Sequence, residues 1–153
     1  MKAFVITGIL FFTCIQNSSG QVFKNPPSLF DPTPYGFSHS SSAQENGTYI
    51  FISGQSGAEN TDHKLSGDFR TQVQFALKNL ITVLSSYNLK PENTLKITIL
   101  VVDHSAKKLA IWGEEMHKVW SNNLPASTLI PVPKLAIDGM LIEVDAIAFK
   151  KKT

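Results

Sequence analysis

The chain has 153 residues, enough for one domain, and its 14 basic and 12 acidic residues give a formal net charge of +2. A charge this close to zero argues against a general nucleic-acid-binding or membrane-surface protein. The chain contains a single cysteine, Cys14. A disulfide within the chain and a multi-cysteine metal site are therefore excluded.

The first twenty residues resemble a cleavable signal peptide. Lys2 provides a positive start, a short apolar run follows, and small residues precede Gln21. The apolar run is too short for a comfortable membrane span. Buried N-terminal structure and lipid attachment at Cys14 are the alternatives. Cleavage near Gly20/Gln21 predicts a secreted or periplasmic protein. The mature chain would then have no membrane contact, and it would contain no cysteine.

The first half of the expected mature chain is extended. Prolines exclude a helix in residues 21–34, which we interpret as an N-terminal arm. Residues Tyr35–His39 are predicted to form a short strand, and Ser40–Asn46 a polar connection. The β-branched and aromatic run Thr48–Gly54 predicts a strand.

Two amphipathic helices and a strand follow. Apolar residues at three- and four-residue steps predict a helix over Asp68–Tyr87, with Ser66 or Gly67 as its N-cap. An apolar run predicts a strand over Leu95–Val102, and Ser105–Ser121 is predicted to be the second helix.

Two strand-like runs end the chain and are expected to face each other across Asp138–Gly139. In the first run, Pro131 and Pro133 lie two apart, so their missing N–H groups fall along one edge, which indicates a sheet edge, bulge or rim. The second run, Leu141–Phe149, alternates between two faces that are both largely apolar.

These elements predict a compact α+β domain in which two helices pack on one face of a single mixed sheet. The other face of the last strand is also substantially apolar. We therefore expect a second subunit to cover it.

The last strand contains Glu143 and Asp145, whose Cα atoms should lie about 6.5 Å apart on one strand face. A carboxylate among apolar neighbours is costly unless something pairs with it. The pair could serve acid/base chemistry, as in sugar hydrolysis, or could make only structural and solvent contacts. No histidine pair has metal-ligand spacing and no cofactor motif occurs, so neither a metal nor a cofactor is expected.

Several segments in a specific order resemble the Rid/YjgF (RutC-like) family of reactive-intermediate deaminases. They are Tyr35, F-I-S-G-Q at 51–55, F-x-x-Q-x-x-x-A-L-x-N-L at 69–80, L-K-I-T-I-L-V-V-D at 95–103, P-A-S-T at 125–128 and G-M-L-I-E-V-D-A-I-A at 139–148. They extend over most of residues 35–149. The resemblance indicates a Rid-like domain over residues 35–153.

The resemblance implies a homotrimer with a central barrel-like core, helices outside and small-molecule clefts between subunits. It implies that Glu143, as in the family, helps to place the water that attacks an imine, and that Tyr35 is the pocket tyrosine; these two are the catalytic candidates. The substrate-binding candidates that it implies are Ser53, Gly54, Gln55, Ser127 and Thr128.

One position departs from the family pattern. Deaminase members have an arginine that binds the substrate carboxylate where this chain has Ser127. A serine hydroxyl carries no charge and cannot make that bidentate contact with a carboxylate. Arg70 lies in the first helix and cannot easily replace it, and Lys134 is a weak candidate.

We therefore expect a small-molecule-binding Rid protein that does not deaminate imino acids efficiently. The alternative is an enamine or imine deaminase, or a related hydrolase, that uses Glu143 to place water. Ribonuclease activity has also been linked to the family, but the near-neutral charge gives it little support, and no nucleic-acid partner is expected.

Overall fold

The computed structural model describes residues 21–43, 46–59 and 61–152. β1 and β2 form a small antiparallel pair, and the main sheet has the order β3-β6-β4-β5. The elements in these residues are β1 (Gln21–Lys24), β2 (Ser40–Ala43), β3 (Gly47–Ser56), α1 (Phe69–Ser86), β4 (Thr94–Val102), α2 (Ala106–Trp120), β5 (Ala126–Val132) and β6 (Ile142–Lys151). The predicted α+β fold, with a mixed sheet and two helices, is confirmed.

The final two strands do not pair with each other, so the predicted contact across Asp138–Gly139 is wrong. β5 runs parallel to β4, and β6 pairs antiparallel with both β3 and β4. The cause is the α2 crossover, which carries the chain from β4 into a parallel β5 at the outer edge of the sheet. The chain after β5 must then pass β4 to reach the centre. Pro131 lies on this edge strand, as its missing N–H group predicted.

Both helices begin at side-chain caps. Asp68 caps α1 by accepting a hydrogen bond from the Thr71 N–H, so the predicted cap at Ser66 or Gly67 is one residue or more too early. Ser66 instead accepts a hydrogen bond from the Asp68 N–H. Ser105 caps α2 through the Lys108 N–H. A side chain that accepts from the first turn satisfies a backbone donor that would otherwise lack a partner.

The hydrophobic core lies between the helices and one face of the sheet. On β6, Ile142, Val144, Ala146 and Ala148 are buried there, as the alternation predicted. Trp112, Met116 and Trp120 of α2 are buried in the same core.

The segment before β3 differs from its prediction. Residues Thr33–Tyr35 form a 3-10 helix, and Ser38 makes only an isolated bridge to Ala126. Pro34 favours this tight turn because its φ is already fixed near the helical value. Ser40–Ala43, predicted as a connection, is strand β2. Its serines lack the apolar alternation that marks a strand, but β1 pairs with them.

The face of the sheet away from the helices is only partly covered. Phe51 is 77% exposed and Tyr49 is 52% exposed on β3, and Ile130 is 41% exposed on β5. Glu143, Asp145 and Ile147 of β6 alternate with the buried residues of that strand and therefore share this face. We call it the bare face.

An ion-pair network joins the two helices. Arg70 of α1 donates to Glu115 at 2.6 Å and to Glu114 at 2.7 Å, and Lys118 donates to Glu115 at 2.8 Å. Burial alone would raise the pKa of Glu115, but the hydrogen bonds from Lys118 and Arg70 outweigh burial and hold that pKa below its ordinary value. Arg70 is thus engaged on the helical layer.

Glu115 should therefore contribute an acid-sensitive part of the stability. A carboxylate with a lowered pKa in the folded state stabilises the protein above its unfolded-state pKa, and this contribution is lost as the pH falls through the folded-state pKa. We expect Glu115→Gln to lower the free energy of unfolding at pH 7 and to flatten its decline between about pH 5 and pH 3. Urea unfolding across pH measures both; an unchanged pH profile would contradict the assignment.

Among the residues that the structure describes, no helix is long and apolar enough to cross a membrane. The predicted signal peptide, residues 1–20, lies outside the described ranges. Cleavage near Gln21 and export therefore stay predictions.

Candidate functional site

A β-bulge in β3 organises the bare face. Ile52 pairs with Ala146 and Gln55 pairs with Val144, so Ser53 and Gly54 together lie opposite the single residue Asp145. Such a bulge bends its strand and changes the direction of nearby side chains. The Gln55 side chain supports the bulge by donating to the Ser53 carbonyl at 2.9 Å.

Gly54 leaves room for the carboxylate of Glu143. A Cβ atom built at Gly54 would overlap that carboxylate, so the absence of a side chain allows the close approach. Glu143 is half-buried, and among the residues that the structure describes its side chain has no hydrogen-bond or ion-pair partner. A half-buried carboxylate with free lone pairs can accept a proton or orient a water molecule.

Gly54 also lines a shallow cleft of about 410 Å³, although Glu143 itself is not among the residues that line it. Phe51 and Ile147 give it apolar walls, while Thr98 and Asp145 supply polar groups. The remaining lining residues are Ile52, Ser53, Gly54 and Ala146. Small-molecule sites combine mainly apolar walls with a few polar groups in this way.

Lys96, a cation on this face, was not identified as a site residue from the sequence. Its ammonium donates to the Thr128 hydroxyl at 2.5 Å across two neighbouring strands. Burial lowers the pKa of Lys96, and the negative charge of Asp145 partly opposes that effect. The available signal was its position in β4, where Lys96 and Thr98 alternate with the buried residues Ile97 and Ile99.

Ser127 and Thr128 lie on β5, and their side chains point to opposite faces. Thr128 pairs with Thr98, which in turn pairs with Asp145, so it belongs to the bare face. Ser127 shares the helical side of the strand with Leu129, which packs against the core. Ser127 thus lies at the open edge of the sheet, on the other face from Glu143.

Tyr35 is also separate from the Glu143 cleft within one chain. It is 45% exposed and lines a hollow with Phe30, Phe37 and Leu109 against α2. The structure therefore brings together Glu143, Ser53 and Gly54, with Thr128 on the same face. Gln55 pairs with Val144 of the buried face and does not line the cleft. Tyr35 and Ser127 lie at other surfaces.

The remaining cation considered for the site is engaged elsewhere. Lys134 pairs with Asp138 at 3.2 Å, and both side chains are largely exposed. Within the described residues, no group of three or more histidine, cysteine, aspartate or glutamate side chains could hold a metal ion.

Comparison with known proteins links this geometry to relatives. A family model described as "Endoribonuclease L-PSP" matches residues 33–150. A RutC family protein of Aquifex aeolicus (strain VF5) is 33% identical over 120 residues, which cover 78% of this chain and 93% of the relative. A RutC family protein of Buchnera aphidicola is 28% identical over 114 residues, covering 72% and 87%.

Solved structures agree. A protein of the conserved Rid family from Yersinia pestis superposes with a TM-score of 0.80 at 28% identity, covering 86% of this chain and 99% of that one. RidA from the Antarctic bacterium Psychrobacter sp. PAMC 21119 gives a TM-score of 0.62 at 19% identity, covering 74% and 88%. At that identity the second similarity shows the fold alone.

Proposed function

Because this chain belongs to the Rid/RutC family, we propose that it is an exported protein whose homotrimer binds a small metabolite in clefts between subunits. It deaminates imino acids inefficiently, because the position that resembles the family's carboxylate-binding arginine is Ser127. The observation that carries the proposal is the unpaired Glu143 carboxylate that lies against Gly54, a residue that lines a shallow cleft.

Two features of the single chain support assembly. The bare face exposes Phe51, Tyr49 and Ile130, which are costly to leave in water. The candidate residues are also divided between surfaces, since Tyr35 and Ser127 do not reach Glu143. A neighbouring subunit that covers the bare face would bury the apolar side chains and could complete the cleft.

A second function, hydrolysis of a small enamine or imine, is favoured by the state of Glu143. Its carboxylate has no partner within the described residues and approaches Gly54 at the bulge of β3. A carboxylate in such a place can orient water toward an electrophilic carbon.

The proposal is least compatible with nucleic-acid cleavage. Without Lys2 the mature chain would have thirteen basic and twelve acidic residues, a net charge of +1. On the bare face, β6 presents the carboxylates Glu143 and Asp145, and β4 presents Lys96. Neither feature forms the basic surface that nucleic-acid binding requires.

Replacing Ser127 with arginine tests the proposal. We expect Ser127→Arg to raise ammonia release from freshly generated 2-iminopropanoate by about tenfold or more, because each charge-assisted bond to a carboxylate contributes roughly 1.5–3 kcal/mol. The measurement is kcat/KM for ammonia release by the purified mature protein, with the trimer checked by native mass spectrometry.

Ser86→Arg is the matched control, because it adds the same charge at the exposed end of α1. It should leave turnover unchanged. A folded trimeric Ser127→Arg protein without any gain would overturn the assignment of Ser127 to the cleft. A monomeric wild-type protein would overturn the assembly.

A further inference from the structure

Resting on the export that the proposed function includes, we infer that Gln21 is a modification site, where the mature chain closes its N-terminal glutamine into pyroglutamate. Removal of residues 1–20 at the predicted cleavage position leaves Gln21 as the first residue. This residue precedes position 33, where the match to the family model begins. The modification therefore belongs to the N-terminal arm and not to the cleft that Gly54 lines.

The reaction needs only groups that an N-terminal glutamine carries. The α-amino nitrogen attacks the side-chain carbon Cδ, so that an N–Cδ bond forms and the Cδ–Nε2 bond breaks. A proton of the α-amine passes to Nε2, which leaves as ammonia. An α-amino group is a weaker base than a lysine side chain, so part of it is unprotonated and nucleophilic at neutral pH. The product is an uncharged lactam.

The burial of Gln21 favours this uncharged form. Gln21 is the first residue of β1 and is only 9% exposed. Cleavage without ring closure would place the positive α-ammonium group of the new terminus at this buried residue. A buried charge is costly unless another group pairs with it. The lactam removes the charge and allows β1 to begin at the first residue of the mature chain.

The open side chain of Gln21 is only partly satisfied in this place. Its Nε2 donates to the Asn93 carbonyl at 2.8 Å. Its Oε1 is buried and has no hydrogen-bond partner among the residues that the structure describes. A buried acceptor without a partner lowers stability. Ring closure removes the extended amide, and the lactam still has one N–H donor.

The strand that contains Gln21 can open and expose it to reaction. β1 has four residues and, within the described part of the chain, pairs with β2 in a separate two-stranded sheet. An isolated pair of short strands is marginally stable, so we expect β1 to open more readily than the strands of the main sheet. Ser41 of β2 donates to the Leu95 carbonyl of β4 and holds the pair to the main sheet.

Mass spectrometry of the exported protein tests the inference. The full chain is expressed with its own N-terminal segment in a bacterial host, recovered from the periplasm and incubated with a glutaminyl cyclase. Trypsin cleaves after Lys24 and releases Gln21–Lys24 as the N-terminal peptide. We expect this peptide to be lighter than its linear sequence by one ammonia molecule in most of the protein.

Gln21→Asn is the matched control for ring closure. Asparagine keeps the carboxamide but is one methylene shorter, so its ring would be more strained. The N-terminal peptide of this variant should keep the mass of the linear sequence after the same incubation. Loss of ammonia from the variant to the same extent as from the wild type would overturn the assignment to the Gln21 side chain.

A second measurement tests whether burial favours the ring. The mature chain is released with a free Gln21 from an N-terminal fusion, and its melting temperature is measured before and after incubation with the cyclase. We expect a rise of about 2 °C or more, because the buried charge is lost. An unchanged melting temperature would overturn the argument from burial.

Failure of this inference can be distinguished from failure of the proposed function. A chain that keeps residues 1–20 would contradict both the export and the modification. A chain that begins at residue 21 and keeps a free amine after incubation with the cyclase would contradict the modification alone. The turnover of Ser127→Arg reports on the cleft and is independent of either result.

Discussion

Gln72→Leu should lower the free energy of unfolding by about 3 kcal/mol. The Gln72 side chain is fully buried in α1, where its Nε2 donates to the Ser66 and Gly139 carbonyls and its Oε1 accepts from the Leu141 N–H. These three bonds join the helix start to the segment that leads into β6. Leucine removes all three and leaves backbone groups without partners.

A chain of this size should then melt about 10 °C lower, as measured by calorimetry. Thr82→Leu, an exposed position on the same helix whose hydroxyl bonds only to the Lys78 carbonyl, is the control and should change stability by about 0.5 kcal/mol or less. Gln72→Glu keeps an acceptor for the Leu141 N–H, but its second oxygen would face the two carbonyls in a fully buried place. We therefore expect a loss at least as large as that of Gln72→Leu. Equal stabilities of Gln72→Leu and Thr82→Leu would contradict the structural role of Gln72.

The elements that the sequence predicted well depend on local patterns. α1 repeats apolar residues every three or four positions, and the observed helix Phe69–Ser86 differs from the prediction by one residue at each end. β4 is rich in β-branched and other apolar residues and begins one residue earlier than predicted. In both cases the burial pattern is fixed by side chains that are neighbours along the chain.

The features that were missed depend on contacts between distant segments. β2 is a run of small polar residues that becomes a strand because β1 pairs with it and Ser41 donates to the Leu95 carbonyl. The separation of β5 from β6 follows from the crossover through α2, which no local pattern near Asp138 records. Sequence periodicity cannot show either contact.

The candidate site shows the same division. Glu143 could be selected from the sequence because a carboxylate interrupts an apolar strand. Its closeness to Gly54 could not be derived, because it depends on the bulge in β3 and on the register with β6. The hydrogen bond between Lys96 and Thr128 joins residues that are 32 positions apart in the chain, so only the structure shows it.

Glu143→Gln should reduce imine hydrolysis by about a hundredfold or more, which is the usual contribution of a positioned general base. Glutamine has nearly the same shape but cannot accept a proton from water. The rate of ammonia release should be measured in the wild-type chain and in the Ser127→Arg chain. The trimer mass and the melting temperature should stay unchanged, so that the loss reports chemistry and not folding.

Asp145→Asn is the matched control, since Asp145 lies on the same strand face but is exposed. If Glu143 acts alone, Asp145→Asn should retain most of the turnover. If Asp145→Asn loses as much turnover as Glu143→Gln, both carboxylates take part in catalysis. Turnover that survives Glu143→Gln would exclude Glu143 as the base.

Gly54→Ala separates the position of the carboxylate from its chemical identity. The added Cβ would overlap the end of the flexible Glu143 side chain, which can swing away at little cost in stability. We therefore expect turnover to fall while the melting temperature changes little. Gly57→Ala should lower the melting temperature and change turnover per folded molecule little. Its Cβ would overlap backbone atoms of Gln72 and force α1 to move. A fully active Gly54→Ala protein would show that catalysis does not depend on the observed approach of Glu143 to the bulge.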